Sequence, residues 1–99
     1  MKRPVRLLRS AETDIRGIAR YITRDSPQSA EKTVARLLDA IDQLAVHPES
    51  GPIAREERLK SLGFRTLSCG AYLIFYKAVR TQVRIYRVLH GKRSFKSLL

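Results

Sequence analysis

Residues 62–90 read LGFRTLSCGAYLIFYKAVRTQVRIYRVLH, and this stretch decides the fold. It is rich in β-branched and aromatic residues, which favour strands. Cys69-Gly70 and a polar turn near Arg80-Thr81 divide it into three runs. The predicted strands are Leu62 to Ser68, Ala71 to Val79 and Gln82 to His90. Three successive strands joined by short turns predict an antiparallel meander.

The middle run, AYLIFY at residues 71–76, is apolar at every position. This pattern is typical of a central strand that is covered by helices on one face and partly covered on the other. The last run interleaves arginine with apolar residues. With a period of two, Arg87 shares a face with Ile85 and Leu89, whereas Arg84 shares one with Tyr86 and Val88. Periodicity alone leaves open which arginine faces the helices.

Upstream of the meander the spacing of apolar residues changes from strand to helix. Pro4 to Arg9 reads as a short strand, closed by Ser10 as the N-cap of a first helix that runs to about Arg24. Apolar residues then recur every three or four positions, as on one side of a helix. That stripe comprises Ala11, Ile15, Ile18, Ala19 and Ile22.

A second helix is predicted from Pro27 to about Val46, because Ser26 is a good N-cap and proline fits the first helical turn. Its apolar stripe comprises Ala30, Val34, Leu37, Leu38, Ile41, Leu44 and Ala45. The short connection favours an antiparallel helical hairpin. Residues 47–61 are predicted to be irregular. The fold class is therefore α+β: an N-terminal strand, a helical hairpin and a mainly antiparallel sheet ending in the meander.

The length and composition indicate one domain spanning residues 1–99, with 43% hydrophobic residues. No run is long and apolar enough for a membrane span, and the N-terminus lacks the pattern of a signal peptide, so we expect a cytoplasmic protein with no membrane partner. Cys69 is the only cysteine, and nucleotide-binding and metal-binding motifs are absent. We therefore expect neither a metal nor a cofactor.

The net charge is concentrated in the second half of the chain. Twenty Lys and Arg against nine Asp and Glu give +11. Residues 1–50 carry nine basic and seven acidic side chains, whereas residues 51–99 carry eleven and two. Such a field steers a protein towards an anionic partner. The alternative, a surface that only confers solubility, usually mixes both signs.

Several residues of this basic half are candidates for binding a phosphate or a carboxylate, since arginine offers a fixed fork of donors and lysine a point charge. They are Arg65, Arg84, Arg87, Lys92 and Arg93. His90 ends a strand directly before a glycine and two cations, and a functional and a structural role are equally open for it.

The order of these motifs resembles the ParE branch of the RelE/ParE toxin superfamily. The resemblance covers nearly the whole chain and is carried by ARYI, HPESG, GFRTL, AYLIFY and IYRVLHGKRSF. It implies the toxin of a bacterial type II toxin–antitoxin system, held in a hetero-oligomer by a ParD-like antitoxin whose extended C-terminal segment wraps it. ParE-like members are associated with poisoning DNA gyrase, and RelE-like members with cutting mRNA on the ribosome.

The tail favours the ParE-like branch over the RelE-like one. The RelE-like site uses basic residues of the meander, best matched here by Arg65 and Arg87, and often a tyrosine or histidine near the C-terminus. Phe95 stands where such a tyrosine would be. Phenylalanine cannot exchange a proton, so a ribonuclease would depend on His90 or a lysine.

The resemblance therefore favours a gyrase inhibitor with no catalytic residues. Its expected contact surface for the target or the antitoxin comprises Arg65, Arg84, Arg87, His90, Lys92, Arg93 and Phe95. The alternatives are a ribosome-dependent ribonuclease that uses Arg65, Arg87 and His90, and an inactive module that only binds antitoxin.

Overall fold

The computed structural model describes residues 2–91 and contains a four-stranded sheet with three helices. The elements in chain order are β1 (Val5–Leu7), α1 (Arg9–Thr23), α2 (Pro27–Gln43), α3 (Glu57–Ser61), β2 (Arg65–Cys69), β3 (Tyr72–Ala78) and β4 (Val83–His90). The strand order is β1-β4-β3-β2. Strands β2, β3 and β4 form the antiparallel meander, and β1 runs parallel to β4. The predicted α+β fold is confirmed.

The main core lies between the helical hairpin and one face of the sheet. Both helices direct their apolar stripes towards it, and the sheet contributes residues of β3 and β4. Its buried members are Ala11, Ile15, Leu37, Ile41, Leu44, Ile74, Tyr76, Val83, Ile85 and Val88. Burial of each aliphatic side chain stabilises the fold by roughly 1.5 to 3 kcal/mol.

The second face of the sheet is covered in part by α3 and the segment before it. Its core comprises Ala54, Leu59, Phe64, Phe75 and Leu89. Strand β3 is thus buried on both faces, as the AYLIFY run predicts. The expectation of an irregular stretch over 47–61 is wrong for its last part, because the carboxylate of Glu56 accepts from the backbone N–H groups of Arg58 and Leu59 and caps α3.

A β-bulge in β4 breaks the alternation that the sequence suggests. Phe75 pairs with Arg87 and Tyr76 with Ile85, which leaves Tyr86 as the extra residue. Such an insertion shifts the faces of the residues that follow it. Ile85 consequently packs under the helices while Leu89 packs in the second core, so the predicted shared face of these two residues is wrong.

The ends of the hairpin differ from prediction in two places. Ser10 is not the N-cap of α1: Leu8 holds that position without a side-chain hydrogen bond, and α1 begins at Arg9. Ser26 does cap α2, accepting from Ser29 N at 3.2 Å. Helix α2 ends at Gln43 rather than Val46, because the next backbone N–H groups bond three residues back, in the tighter 3₁₀ pattern. Between residues 2 and 91 no helix combines the length and apolarity that a bilayer crossing requires.

The apolar stripe of α2 predicts a core position for Leu38, but the structure places Leu38 on the surface. Leu38 is 41% exposed, whereas its neighbour Leu37 is fully buried. Successive helical residues point about 100° apart, so the two leucines cannot both face the sheet. We expect Leu37→Ala to lower the free energy of unfolding by about 3 kcal/mol and Leu38→Ala by about 1 kcal/mol or less, measured by urea denaturation. Equal losses at the two positions would contradict this packing.

Candidate functional site

The sheet carries cations and no carboxylate. All nine acidic residues lie outside the four strands, on the helices and their connections. The strands carry five basic residues: Arg6, Arg65, Lys77, Arg84 and Arg87. The surroundings of these five side chains decide which of them can meet an external anion.

Arg87 is engaged by Asp14 of α1. Its Nε donates to Asp14 Oδ2 at 2.7 Å and its Nη2 donates to Oδ1 at 2.8 Å, which is the bidentate geometry of a strong ion pair. The two side chains are only 18% and 11% exposed. The hydrogen bonds that Arg87 donates to Asp14 raise the pKa of Arg87, against the opposing effect of burial. The cation of Arg87 is therefore part of the contact between α1 and β4.

Asp14 also completes the outer edge of β4. Strand β1 ends at Leu7, and beyond it no strand within residues 2–91 pairs with β4 on that side. Ser10 Oγ donates to the carbonyl of Tyr86 at 2.7 Å, and Asp14 Oδ2 accepts from the N–H of Val88 at 2.9 Å. Ser10 and Asp14 are four residues apart and so lie on one side of α1. Side chains in the first turns of α1 thus form hydrogen bonds with backbone groups of β4 that have no partner in β1.

Arg65 is engaged by the HPESG loop, residues 47–51. Its Nη1 donates to the carbonyl of Gly51 at 2.9 Å. The hydroxyl of Tyr76, which is fully buried, accepts from Gly51 N at 2.9 Å and donates to the carbonyl of Pro48 at 2.9 Å. Burial raises the pKa of Tyr76. Arg65 and Tyr76 together hold the loop against the sheet.

The remaining three cations form a row across the sheet, which we call the cationic row: Arg6, Arg84 and Lys77. Arg84 of β4 is paired with Arg6 of β1 on one side and with Lys77 of β3 on the other. Their chain neighbours Val5, Val83 and Ala78 pack in the helix-side core. Because side chains alternate along a strand, the cationic row lies on the face away from the helical hairpin.

Neighbouring side chains orient two members of the cationic row. The Nζ of Lys77 lies 4.7 Å from the ring centroid of Phe64 and 5.2 Å from that of Tyr86. The side-chain oxygen of Gln82, with the amide turned to satisfy both contacts, accepts from Arg84 Nε at 2.8 Å and Nη2 at 3.1 Å. Arg6 is exposed at the edge of the sheet.

His90 lies at the exposed end of β4, opposite the start of β3. Its ring meets that of Tyr72 edge to face, with 5.6 Å between centroids. Both rings line a cleft against α1, together with Gly17 and Tyr21. Lys92, Arg93 and Phe95 lie outside the described residues. No group of His, Cys, Asp or Glu within residues 2–91 could hold a metal ion.

The predicted site residues therefore do not share one set of contacts. Arg65 contacts the loop, Arg87 contacts α1, and Arg84 belongs to the cationic row. Sequence reasoning missed Arg6 and Lys77. In the sequence, Arg6 and Lys77 alternate with apolar residues, which indicates that they lie on the face opposite the core. Only the strand pairing shows that they flank Arg84.

Solved structures identify the class of fold. A chain of the chromosomal ParDE TA system from P. aeruginosa superimposes with a TM-score of 0.75 at 18% identity, covering 92% of this chain and 98% of that one. A chain of the toxin–antitoxin complex RelBE2 from Mycobacterium tuberculosis does so with a TM-score of 0.68 at 23% identity, covering 91% and 99%. This chain shares its fold with both of these solved chains.

Sequence relatives narrow the class to a family. Residues 5–95 match the model of the ParE toxin of the type II toxin–antitoxin system parDE. A protein of Sinorhizobium fredii (strain NBRC 101917 / NGR234) named as a candidate toxin, Y4kP, is 37% identical over 82 residues, or 83% of this chain and 81% of that protein. The chain belongs to the ParE toxin family, as the order of its motifs predicts.

Proposed function

We propose that this toxin inhibits DNA gyrase by binding and has no nuclease activity of its own. The observation that carries the proposal is the engagement of two cations by the toxin itself. Arg87 is held by Asp14 and Arg65 by the carbonyl of Gly51. These are two of the three residues that a ribonuclease of the RelE type would require here.

Cleavage of RNA needs donors aimed at the charge that develops on the phosphate, and a group that transfers a proton. The Nε and Nη2 donors of Arg87 point at a carboxylate instead, and using them on a phosphate would leave Asp14 without its partner. Arginine does not exchange protons at physiological pH, so His90 would be the only one of the three able to do so. Binding to a protein target makes neither demand.

An antitoxin is the second expected partner. The chains of similar fold come from a ParDE system and from the RelBE2 toxin–antitoxin complex. By analogy, this toxin is neutralised in a hetero-oligomer with a ParD-like antitoxin in the cytoplasm. The net charge of +11 would accelerate its encounter with an acidic antitoxin segment, and salt would slow that encounter.

A pair of assays with purified toxin tests the proposal. We expect inhibition of supercoiling by gyrase and no cleavage of mRNA on programmed ribosomes. The variant His90→Gln should retain gyrase inhibition within a few-fold of wild type, because no proton transfer is involved. In a ribonuclease the same substitution would lower cleavage by about 10²- to 10⁴-fold. Ribosome-dependent cleavage that His90→Gln abolishes, with gyrase unaffected, would refute the proposal.

A further inference from the structure

We propose that the cationic row of Arg6, Arg84 and Lys77 binds the phosphate backbone of double-stranded DNA. The choice of DNA as the physiological ligand rests on the proposed function, since gyrase acts on DNA. The binding surface itself follows from the register of the sheet and from the distribution of charge.

The register brings three like charges together without compensation. Neighbouring strands lie about 4.8 Å apart, so the Cα atoms of the cationic row lie within about 10 Å of one another. Like charges on directly opposite residues destabilise a sheet. The ion pairs found within residues 2–91 join Arg16 to Glu12 and Arg87 to Asp14, and neither involves the row. An anion from outside the chain would relieve this repulsion.

The row is also held in place by its surroundings. The rings of Phe64 and Tyr86 hold the ammonium of Lys77, and Gln82 holds one side of the Arg84 guanidinium. Both residues stand on central strands of the sheet. A ligand therefore meets donors that lose little conformational freedom on binding.

The face suits a polyanion better than an acidic peptide. Peptides and protein partners are anchored mainly by apolar and aromatic side chains that enter pockets or meet exposed apolar surface. The large hydrophobic residues exposed between residues 2 and 91 are Tyr21, Leu38, Val46, Ile53 and Leu62, and none lies on a strand. Duplex DNA carries one negative charge per about 1.7 Å of its axis. Contacts between these phosphates and basic side chains supply sequence-independent binding without any apolar anchor.

The test is a triple variant, Arg6→Gln, Lys77→Gln and Arg84→Gln, compared with a control of equal charge. The control replaces Arg20, Arg24 and Lys32, exposed on the helical hairpin and its turn, with glutamine. Each triple variant removes three of the eleven net charges and leaves +8. Any difference in DNA affinity between them therefore reports the location of the charge, because its total is the same.

Binding to a fluorescein-labelled 20-base-pair duplex is measured by anisotropy at several salt concentrations, without gyrase. Each phosphate contact contributes about 0.9 to the slope of log K against log salt, so loss of the row should reduce the slope by about 2.7. The control should keep the wild-type slope to within about one contact. Thermal melting curves, monitored by circular dichroism, verify that both triple variants are folded.

Three outcomes would overturn the inference: no binding by the wild type, equal losses in the two triple variants, or polyglutamate displacing the duplex at equal charge concentration. The last would assign the row to an acidic protein segment. A reduced slope of log K against log salt in the row variant, but not in the control variant, supports the inference even if the toxin does not inhibit supercoiling. If the toxin inhibits gyrase while the row variant and the control variant bind DNA equally well, the proposed function stands and the inference is refuted.

Discussion

Gly51→Ala is expected to lower the free energy of unfolding by about 3 to 4 kcal/mol, a large share of the stability of a domain of this size. A Cβ at this position would lie 2.5 Å from the carbonyl oxygen of Thr66 and 2.8 Å from the hydroxyl of Tyr76. The loop would have to move away from the sheet. The hydrogen bonds that Tyr76 and Arg65 make to Gly51 would then be lost.

Gly17→Ala is the matched control. Gly17 lies within α1, and a Cβ there meets nothing within 4 Å. Alanine is a better helix former than glycine, so this variant should gain about 0.5 to 1 kcal/mol. Urea denaturation of both variants measures the difference. A Gly51→Ala protein within about 1 kcal/mol of wild type would show that the loop is not held in this way.

Asp14→Ala is expected to lower the free energy of unfolding by about 3 kcal/mol, because it leaves the partly buried guanidinium of Arg87 without its carboxylate. The same change removes the acceptor for the N–H of Val88 on the edge of β4. The carboxylate of Asp14 accepts from both the Arg87 side chain and the Val88 backbone, so its loss removes both contacts between α1 and β4.

Glu12→Ala serves as the control for Asp14→Ala, two residues earlier on the same helix. Glu12 pairs with Arg16 at 3.6 Å, but the two side chains are 47% and 74% exposed. Exposed pairs contribute at most about 1 kcal/mol, so Glu12→Ala should be nearly neutral. Chemical denaturation of the two variants, with 1 M salt as a further condition, distinguishes them. Similar effects of the two substitutions would contradict the structural role of Asp14.

This ion pair affects how mutations of Arg87 are interpreted. An Arg87→Ala toxin that loses activity could have lost a target contact or the junction between α1 and β4. Asp14→Ala removes the contact between α1 and β4 but keeps the side chain of Arg87. Equal loss of toxicity in the two variants, with equal loss of stability, assigns Arg87 to the fold, whereas a loss confined to Arg87→Ala assigns it to the target.

Local sequence was sufficient for the two long helices, the meander and the class of fold, but not for α3. The β-rich composition of residues 62–90 predicts the meander, and the apolar spacing from Ala11 to Ala45 predicts the two helices. These signals are local because propensity and periodicity act over a few residues. The errors at Ser10 and Leu38 have different causes. One hydroxyl bonds a distant strand instead of capping, and one leucine at the margin of its stripe turns to solvent.

Only the tertiary structure decided which cations remain for an external partner. Asp14 and Arg87 are 73 residues apart, and nothing in the spacing of either reveals the other. Arg6 lies beside Arg84 only because β1 pairs with β4. Burial of the apolar face of each strand determines this pairing and its register, and no short motif reveals it. The bulge at Tyr86 adds one residue and thereby reverses the faces beyond it. Strand pairing and register are long-range, and they divide five similar cations into two structural residues and the cationic row.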